Sequence, residues 1–192
     1  MPNRNPEALE FLLSRRSHPS LTLRPPVPTG DELKEILTAG TRVPDHGKLE
    51  PWRLIIIERP AMAGLAESLV RRGDEMGKAA SLVRKAAEVF TQANLIVAVV
   101  SSPDREAKIP LIEQTLSAGA VCVSLVNAAL AKGWGAVWVT GFGAHDRFYR
   151  ESELGLSEHE SIAGFIHIGT AGSQPPERPR PDLPTKVTNL SA

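Results

Sequence analysis

Three clusters of side chains in this sequence have the chemistry to hold a polar, flat ligand. Arg15-Arg16-Ser17 pairs two guanidinium forks with a hydroxyl, a set that suits a phosphate monoester. The same triplet at a helix end also complements the helix dipole, and by spacing alone that structural use is the commoner. The second cluster, Arg42-Val43-Pro44-Asp45-His46-Gly47-Lys48-Leu49-Glu50-Pro51-Trp52, is a polar loop bracketed by Pro and closed by Trp. Arg42 and His46 are candidate donors to a ligand; equally, Asp45 and His46 would satisfy the backbone of an ordinary connector. The third, Trp134-Gly135-Ala136-Val137-Trp138-Val139-Thr140-Gly141-Phe142-Gly143, sets two Trp and three Gly at a strand end. Bare backbone there admits a flat ligand, and a core strand with its turn is an equal reading.

Other chemistries have no foothold. No nucleophile elbow, Walker-type phosphate loop or two-Gly dinucleotide fingerprint is present. His18, His46, His145, His159 and His167 lack metal-ligand spacing, so no bound metal is expected. Lys plus Arg, 22 in all, balance 22 Asp plus Glu, which argues against a nucleic-acid face. The lone Cys122 excludes an intrachain disulfide and suits a reducing compartment. The N-terminus carries no apolar signal, and the longest uncharged run, Thr115 to Ala131, falls short of the about 20 residues a spanning helix needs. Cytoplasmic location, with no membrane segment, is the expectation.

The elements that must position these clusters read as follows. Asn5 caps a first helix with Pro6 at its start and Leu9, Leu12 and Leu13 as its apolar stripe, leading straight into Arg15. After a Pro-rich connection, Leu23 to Pro28, a capping box of Thr29 and Glu32 opens a second helix, which ends near Arg42 before Pro44. Leu33, Ile36, Leu37 and Gly40 are its packing face. Leu54-Ile55-Ile56-Ile57 reads as a strand buried on both faces. A helix from Pro60 to Arg72 stops at Gly73, and another covers Asp74 to Gln92 with Leu82, Val83, Ala86 and Phe90 inward. Strands follow at Leu95 to Val100, Gly135 to Thr140 and Ile162 to Ile168, with a short helix around Asp146 to Leu154. Between the first two of these strands, Pro110 to Lys132 forms a long helix, apolar nearly all round and ended by Gly133. Such a helix must be covered on every side, and in a chain of 192 residues a second subunit is a natural cover. The pattern predicts an α+β fold in one domain over 1–192, with an extended Pro-rich tail over 171–192.

In this order the clusters resemble the nitroreductase family, in its small branch. The resemblance runs from Leu9 to Pro181. It rests on Arg15-Arg16-Ser17, Pro44-Asp45-His46 with Pro51-Trp52, Gly133-Trp134-Gly135 with Trp138, and Gly164-Phe165-Ile166-His167-Ile168-Gly169-Thr170. It implies a mostly antiparallel sheet flanked by helices, an intertwined homodimer, and FMN in clefts between subunits. NADH or NADPH would reduce the flavin, and an organic acceptor of nitroaromatic or quinone type would reoxidise it by a ping-pong mechanism. A flavin-binding protein that stores or senses FMN without turnover is the alternative. The chemistry would reside on the flavin, so no side chain is named as catalytic acid or base.

By the same resemblance Arg15, Arg16 and Ser17 correspond to phosphate and ribityl contacts, with Arg180 a second phosphate ligand. Arg42 and His46 correspond to ring or ribityl contacts, His46 from either subunit, and Trp138, Val139 and Thr140 to the segment along the flavin. Nicotinamide contacts are sought around Ala128 to Gly133. Three departures from the pattern matter. Pro19 and Ser20 stand where many relatives place a further Arg, which shifts weight to Arg180. Glu50 replaces a Gln before Pro51-Trp52, and its carboxylate would oppose an anionic reduced flavin unless Lys48 or Arg42 neutralises it. Val139 stands where some relatives have Arg, leaving only backbone for a polar contact there.

Overall fold

The computed structural model describes residues 3–190. Its centre is β3 (Leu95–Ser101), seven residues all buried, whose apolar run from Leu95 to Val100 suits an interior strand. Its side chains alternate between two cores. Leu95, Val97 and Val99 meet helices α2 (Gly30–Gly40) and α5 (Leu111–Ala131); Ile96, Ala98 and Val100 meet α3 (Arg59–Glu75), α4 (Ala80–Thr91) and α6 (Arg147–Leu154). On one side β3 pairs with β2 (Trp52–Glu58), on the other with β5 (Ser161–Ala171). β5 also carries β4 (Gly135–Val139) and the two-residue β1 (Leu23–Arg24), and every pairing is antiparallel. The α+β expectation with an antiparallel sheet holds.

A register shift between Val99 and Val100 leaves Ala163 of β5 without a partner on β3. One extra residue reverses side-chain parity, so Ile162 and Phe165 share the α3–α4 core despite their odd spacing. Gly164 lies where the Trp138 indole crosses β5. A Cβ there would stand 1.9 Å from Trp138 Nε1, which instead donates to Ala163 O at 3.1 Å.

Several local expectations need correction. Thr29 precedes α2 but makes no side-chain capping bond, and α2 ends at Gly40, before Arg42. β2 is an edge strand with only Ile57 buried between Trp52 and Glu58, so its apolar run is half-covered rather than interior. Gly73 does not stop α3. It lets Val83 of α4 approach, a Cβ there falling 2.4 Å from Val83 Cγ2, and the left-handed Gly77 (φ 62°) follows the true end. α4 therefore starts only at Ala80, and Leu82 faces outward at 61% exposure. β1 was hidden in the Pro-rich connection, since two residues carry no periodicity. The first helix, α1 (Pro6–Ser14), forms as expected, with Asn5 Oδ1 accepting from Ala8 N at 3.0 Å. It buries no residue, and Leu9, Leu12 and Leu13 are each more than half exposed.

Candidate functional site

α1 ends at Arg15, whose N–H bonds Phe11 O at 2.8 Å while its φ/ψ of −56°, 144° turns the chain out of helix. The extended segment then crosses to β4, where His18 N donates to Ala136 O at 3.0 Å. This places Arg15, Arg16, Ser17 and His18 along one wall of a cleft of about 450 Å³. Val137 of β4 lies beside them, and Pro175, Pro176, Arg178 and Arg180 of the tail complete the lining. The tail is not helical there, as five Pro residues between 175 and 184 dictate.

The cleft holds four guanidinium groups against one carboxylate. Glu177 pairs with Arg16, and accepts from Arg180 Nε at 2.9 Å. Arg15 Nη2 donates to Ser17 Oγ at 2.9 Å, yet its Nε is enclosed without a partner among the described residues. Burial first, then the charges of Arg180 and Arg16, pull the Arg15 guanidinium below its ordinary value. Three cations this close are costly unless an anion joins them. Beneath the cleft, His167 of β5 stands directly opposite Val137, 1% exposed, with neither nitrogen partnered among the described residues. Burial drives its imidazole down to about 4.

The other candidates lie elsewhere on the chain. Arg42 is exposed in an open depression of α2 with Asp31, Lys34, Glu35, Thr38 and Ala39. His46 Nδ1 meets Glu113 Oε2 at 2.7 Å on the first turn of α5, with its side chain 63% exposed. Its loop is tightly held: the Asp45 carboxylate accepts from Leu49 N and Glu50 N at 3.1 and 2.8 Å. Ser117 Oγ of α5 donates to Pro44 O and accepts from Trp52 Nε1. Lys48 and Glu50 keep positive φ of 54° and 47° within that frame, a strained conformation for residues with a Cβ. Glu50 is exposed and pairs with neither Lys48 nor Arg42 among the described residues.

Trp138 is 41% exposed. Val139 and Thr140 border a small apolar cavity of about 30 Å³, enough for one water, with Leu69, Phe90 and Phe165. The stretch Ala128 to Gly133 ends α5 against α2, with Lys132 Nζ on Glu35 Oε2 at 2.8 Å and the stop at Gly133 (φ 85°). One chain therefore gathers Arg15, Arg16, Ser17 and Arg180, and leaves Arg42, His46, Trp138, Val139 and Thr140 outside that cleft.

Comparison with known proteins decides the family. A family model described as the Nitroreductase family matches residues 12–170. The chain belongs to the nitroreductase family. Among relatives, "Putative NAD(P)H nitroreductase YdjA" of Escherichia coli (strain K12) is 35% identical over 164 residues, 85% of this chain and 88% of that protein. A Haemophilus influenzae relative described in the same terms is 33% identical over 173 residues, covering 90% and 92% of the two chains. Among solved structures, a nitroreductase-like family protein from Bacillus cereus superposes with a TM-score of 0.80 at 21% identity over the full length of both. A nitroreductase with bound FMN from Bacteroides fragilis gives 0.76 at 19% identity, covering 96% of this chain and 99% of its own.

Within this nitroreductase, sequence reading missed His18, Val137, Glu177 and Arg178 as cleft residues. Arg178-Pro179-Arg180 was the available signal for the tail, because alternate cations in an extended segment face the same way. Nothing in the sequence marked His18, whose place depends on the single backbone bond to Ala136.

Proposed function

We propose that this protein is an FMN-dependent oxidoreductase that draws electrons from NADH or NADPH and passes them to an organic acceptor of nitroaromatic or quinone type. The observation that carries this reading is the cleft of Arg15, Arg16, Ser17, Arg178 and Arg180, which has an excess of cations and a guanidinium nitrogen without a partner among the described residues. That donor set fits a terminal phosphate monoester. Bound FMN would supply the hydride chemistry. Arg15, Arg16, Ser17 and Arg180 would grip the phosphate end, and Trp138, Val139 and Thr140 would flank the ring. Because both substrates would use one cleft, the reaction is ping-pong. Cytoplasmic location follows from the need for reduced nicotinamide.

The working unit in this reading is a homodimer. α1 exposes Leu9, Leu12 and Leu13, and α5 exposes Ile112, Leu116 and Val123 beside Gly119 and Ala120. A Cβ on Gly119 meets nothing within 4 Å, so this stripe is open to close approach. Each Å² covered there by a second copy would stabilise by about 25 cal/mol. Although α5 is long and apolar enough to cross a membrane, its other side forms the core with β3, β4 and β5. The second copy would bring its Arg42 and His46 toward the cleft that one chain leaves without them.

The test is direct. The purified protein should be yellow, release FMN rather than FAD on denaturation, and oxidise NADH or NADPH when given an artificial acceptor. FAD in the released fraction, or a colourless protein that ignores added FMN, would overturn the reading. FMN binding without turnover would favour a flavin store instead.

A further inference from the structure

Resting on the phosphate reading above, we propose that His18 is a further ligand of the bound monoester, a neutral imidazole donating Nε2–H into the cleft. Three observations support this. His18 lines the cleft between Ser17 and Pro19, facing Arg178 and Arg180 of the tail. Its own N–H is tied to Ala136 O of β4 at 3.0 Å, so its backbone is anchored to the sheet rather than carried by a loose segment. Of its two ring nitrogens, Nδ1 is shut away without a partner among the described residues, and Nε2 is not so enclosed.

The enclosed nitrogen decides the tautomer. A proton on Nδ1 would be a buried donor with no acceptor, whereas a bare Nδ1 leaves only an unused lone pair. The proton therefore belongs on Nε2, where it can donate into the cleft. A second proton is disfavoured for the same reason and by its neighbours. On its own segment stand Arg15 and Arg16, and on the tail Arg178 and Arg180; the one carboxylate, Glu177, is already held by Arg16 and Arg180. β4 offers only Val137, and behind it His167 of β5 is buried and neutral. Burial also sets the His18 imidazole below its ordinary value. A neutral donor adds a hydrogen bond to the anion without adding to the repulsion among the guanidinium groups.

Flavin-fluorescence titrations with FMN, riboflavin and inorganic phosphate as competitor test this on the full-length protein. His18→Ala should weaken FMN binding by about 10- to 100-fold, the range for a hydrogen bond to a charged group, and leave riboflavin binding unchanged. His18→Gln, whose amide nitrogen reaches the Nε2 position, should restore affinity to within a few-fold. The gap between wild type and His18→Ala should stay constant between about pH 7 and 8.5, because a neutral imidazole does not titrate there. Wild-type FMN affinity in His18→Ala overturns the proposal, as does an equal loss of riboflavin binding, which would mark a structural role. A gap that widens toward low pH would overturn the neutral form. The phosphate reading fails separately, if wild type binds FMN no better than riboflavin and inorganic phosphate does not compete.

Discussion

The cleft beside α1 and the loop between α2 and β2 are both polar, and they differ in how far their polar groups are satisfied. In the loop each key group has a partner: Asp45 holds two backbone N–H groups, Ser117 bridges Pro44 and Trp52, and His46 meets Glu113. In the cleft, Arg15 Nε and His18 Nδ1 have none among the described residues, nor has either nitrogen of His167 beneath it, and like charges crowd together. Buried polar groups left unpaired cost free energy, so a fold keeps them where something else repays that cost. The loop is shaped in advance; the cleft keeps four guanidinium groups against the one carboxylate of Glu177.

The largest effect should come from separating the two regions. In the proposed dimer, Ala120→Glu places a charge on the open stripe of α5 and should abolish assembly and FMN binding together. Light scattering of the FMN-loaded wild type should give twice the single-chain mass. A single-chain mass with flavin still bound would show that the cleft needs no second loop.

Acid titration sharpens the contrast from beneath the cleft. His167 has a folded value of about 4 against 6.5 when free, so below pH 6.5 the unfolded chain takes up the proton that the fold refuses. Stability should be intact above that value and fall by about 3 kcal/mol as pH drops to about 4. His167→Leu should remove that part of the slope in urea melts at the two pH values. An unchanged slope would mean the imidazole finds a partner in solution.

Next come the guanidinium groups. Arg16→Ala and Arg180→Ala should each weaken FMN binding by about 1.5–3 kcal/mol, the loss of a charge-assisted bond. In the flavin-free protein Arg180→Ala should change stability by no more than about 0.5 kcal/mol, since its partner Glu177 is solvent-exposed. Unchanged FMN affinity in the Arg180 variant would show that the tail serves another end.

The smallest effect belongs to the loop. Ser117→Ala leaves Pro44 O and Trp52 Nε1 unpaired and should cost about 1–2 kcal/mol of stability in denaturant melts. A neutral result would mean that these bonds do not frame the loop, and the contrast with the cleft would lapse.

Where chemistry is local, the sequence was readable. Asn5 capping Pro6 to Ser14, the unbroken apolar run of β3 and the stop at Gly133 each depend on residues a few places apart. Arg15, Arg16 and Ser17 stood out as candidates for the same reason, and the fold sets them along one wall of a cleft. The misreadings share the opposite cause. Gly73 looked like a helix stop but makes room for Val83, and Leu82 looked inward but faces solvent, because helix-to-helix packing set both. The run Leu54 to Ile57 named a strand without telling that its outer edge is unpaired. For Trp138, offered as a ligand platform, the fold adds that its indole lies across Gly164.

The sequence by itself determined the helices, the strands and the kinds of groups available for an anion. Only the tertiary structure decided that Arg178 and Arg180 return to Arg15 and Arg16 from the far end of the chain. It likewise placed His18 in that cleft and His167 opposite Val137, with nitrogens unpaired among the described residues. The reason is physical: capping and periodicity act over one or two turns, whereas a cleft forms where distant segments are held by the sheet they share.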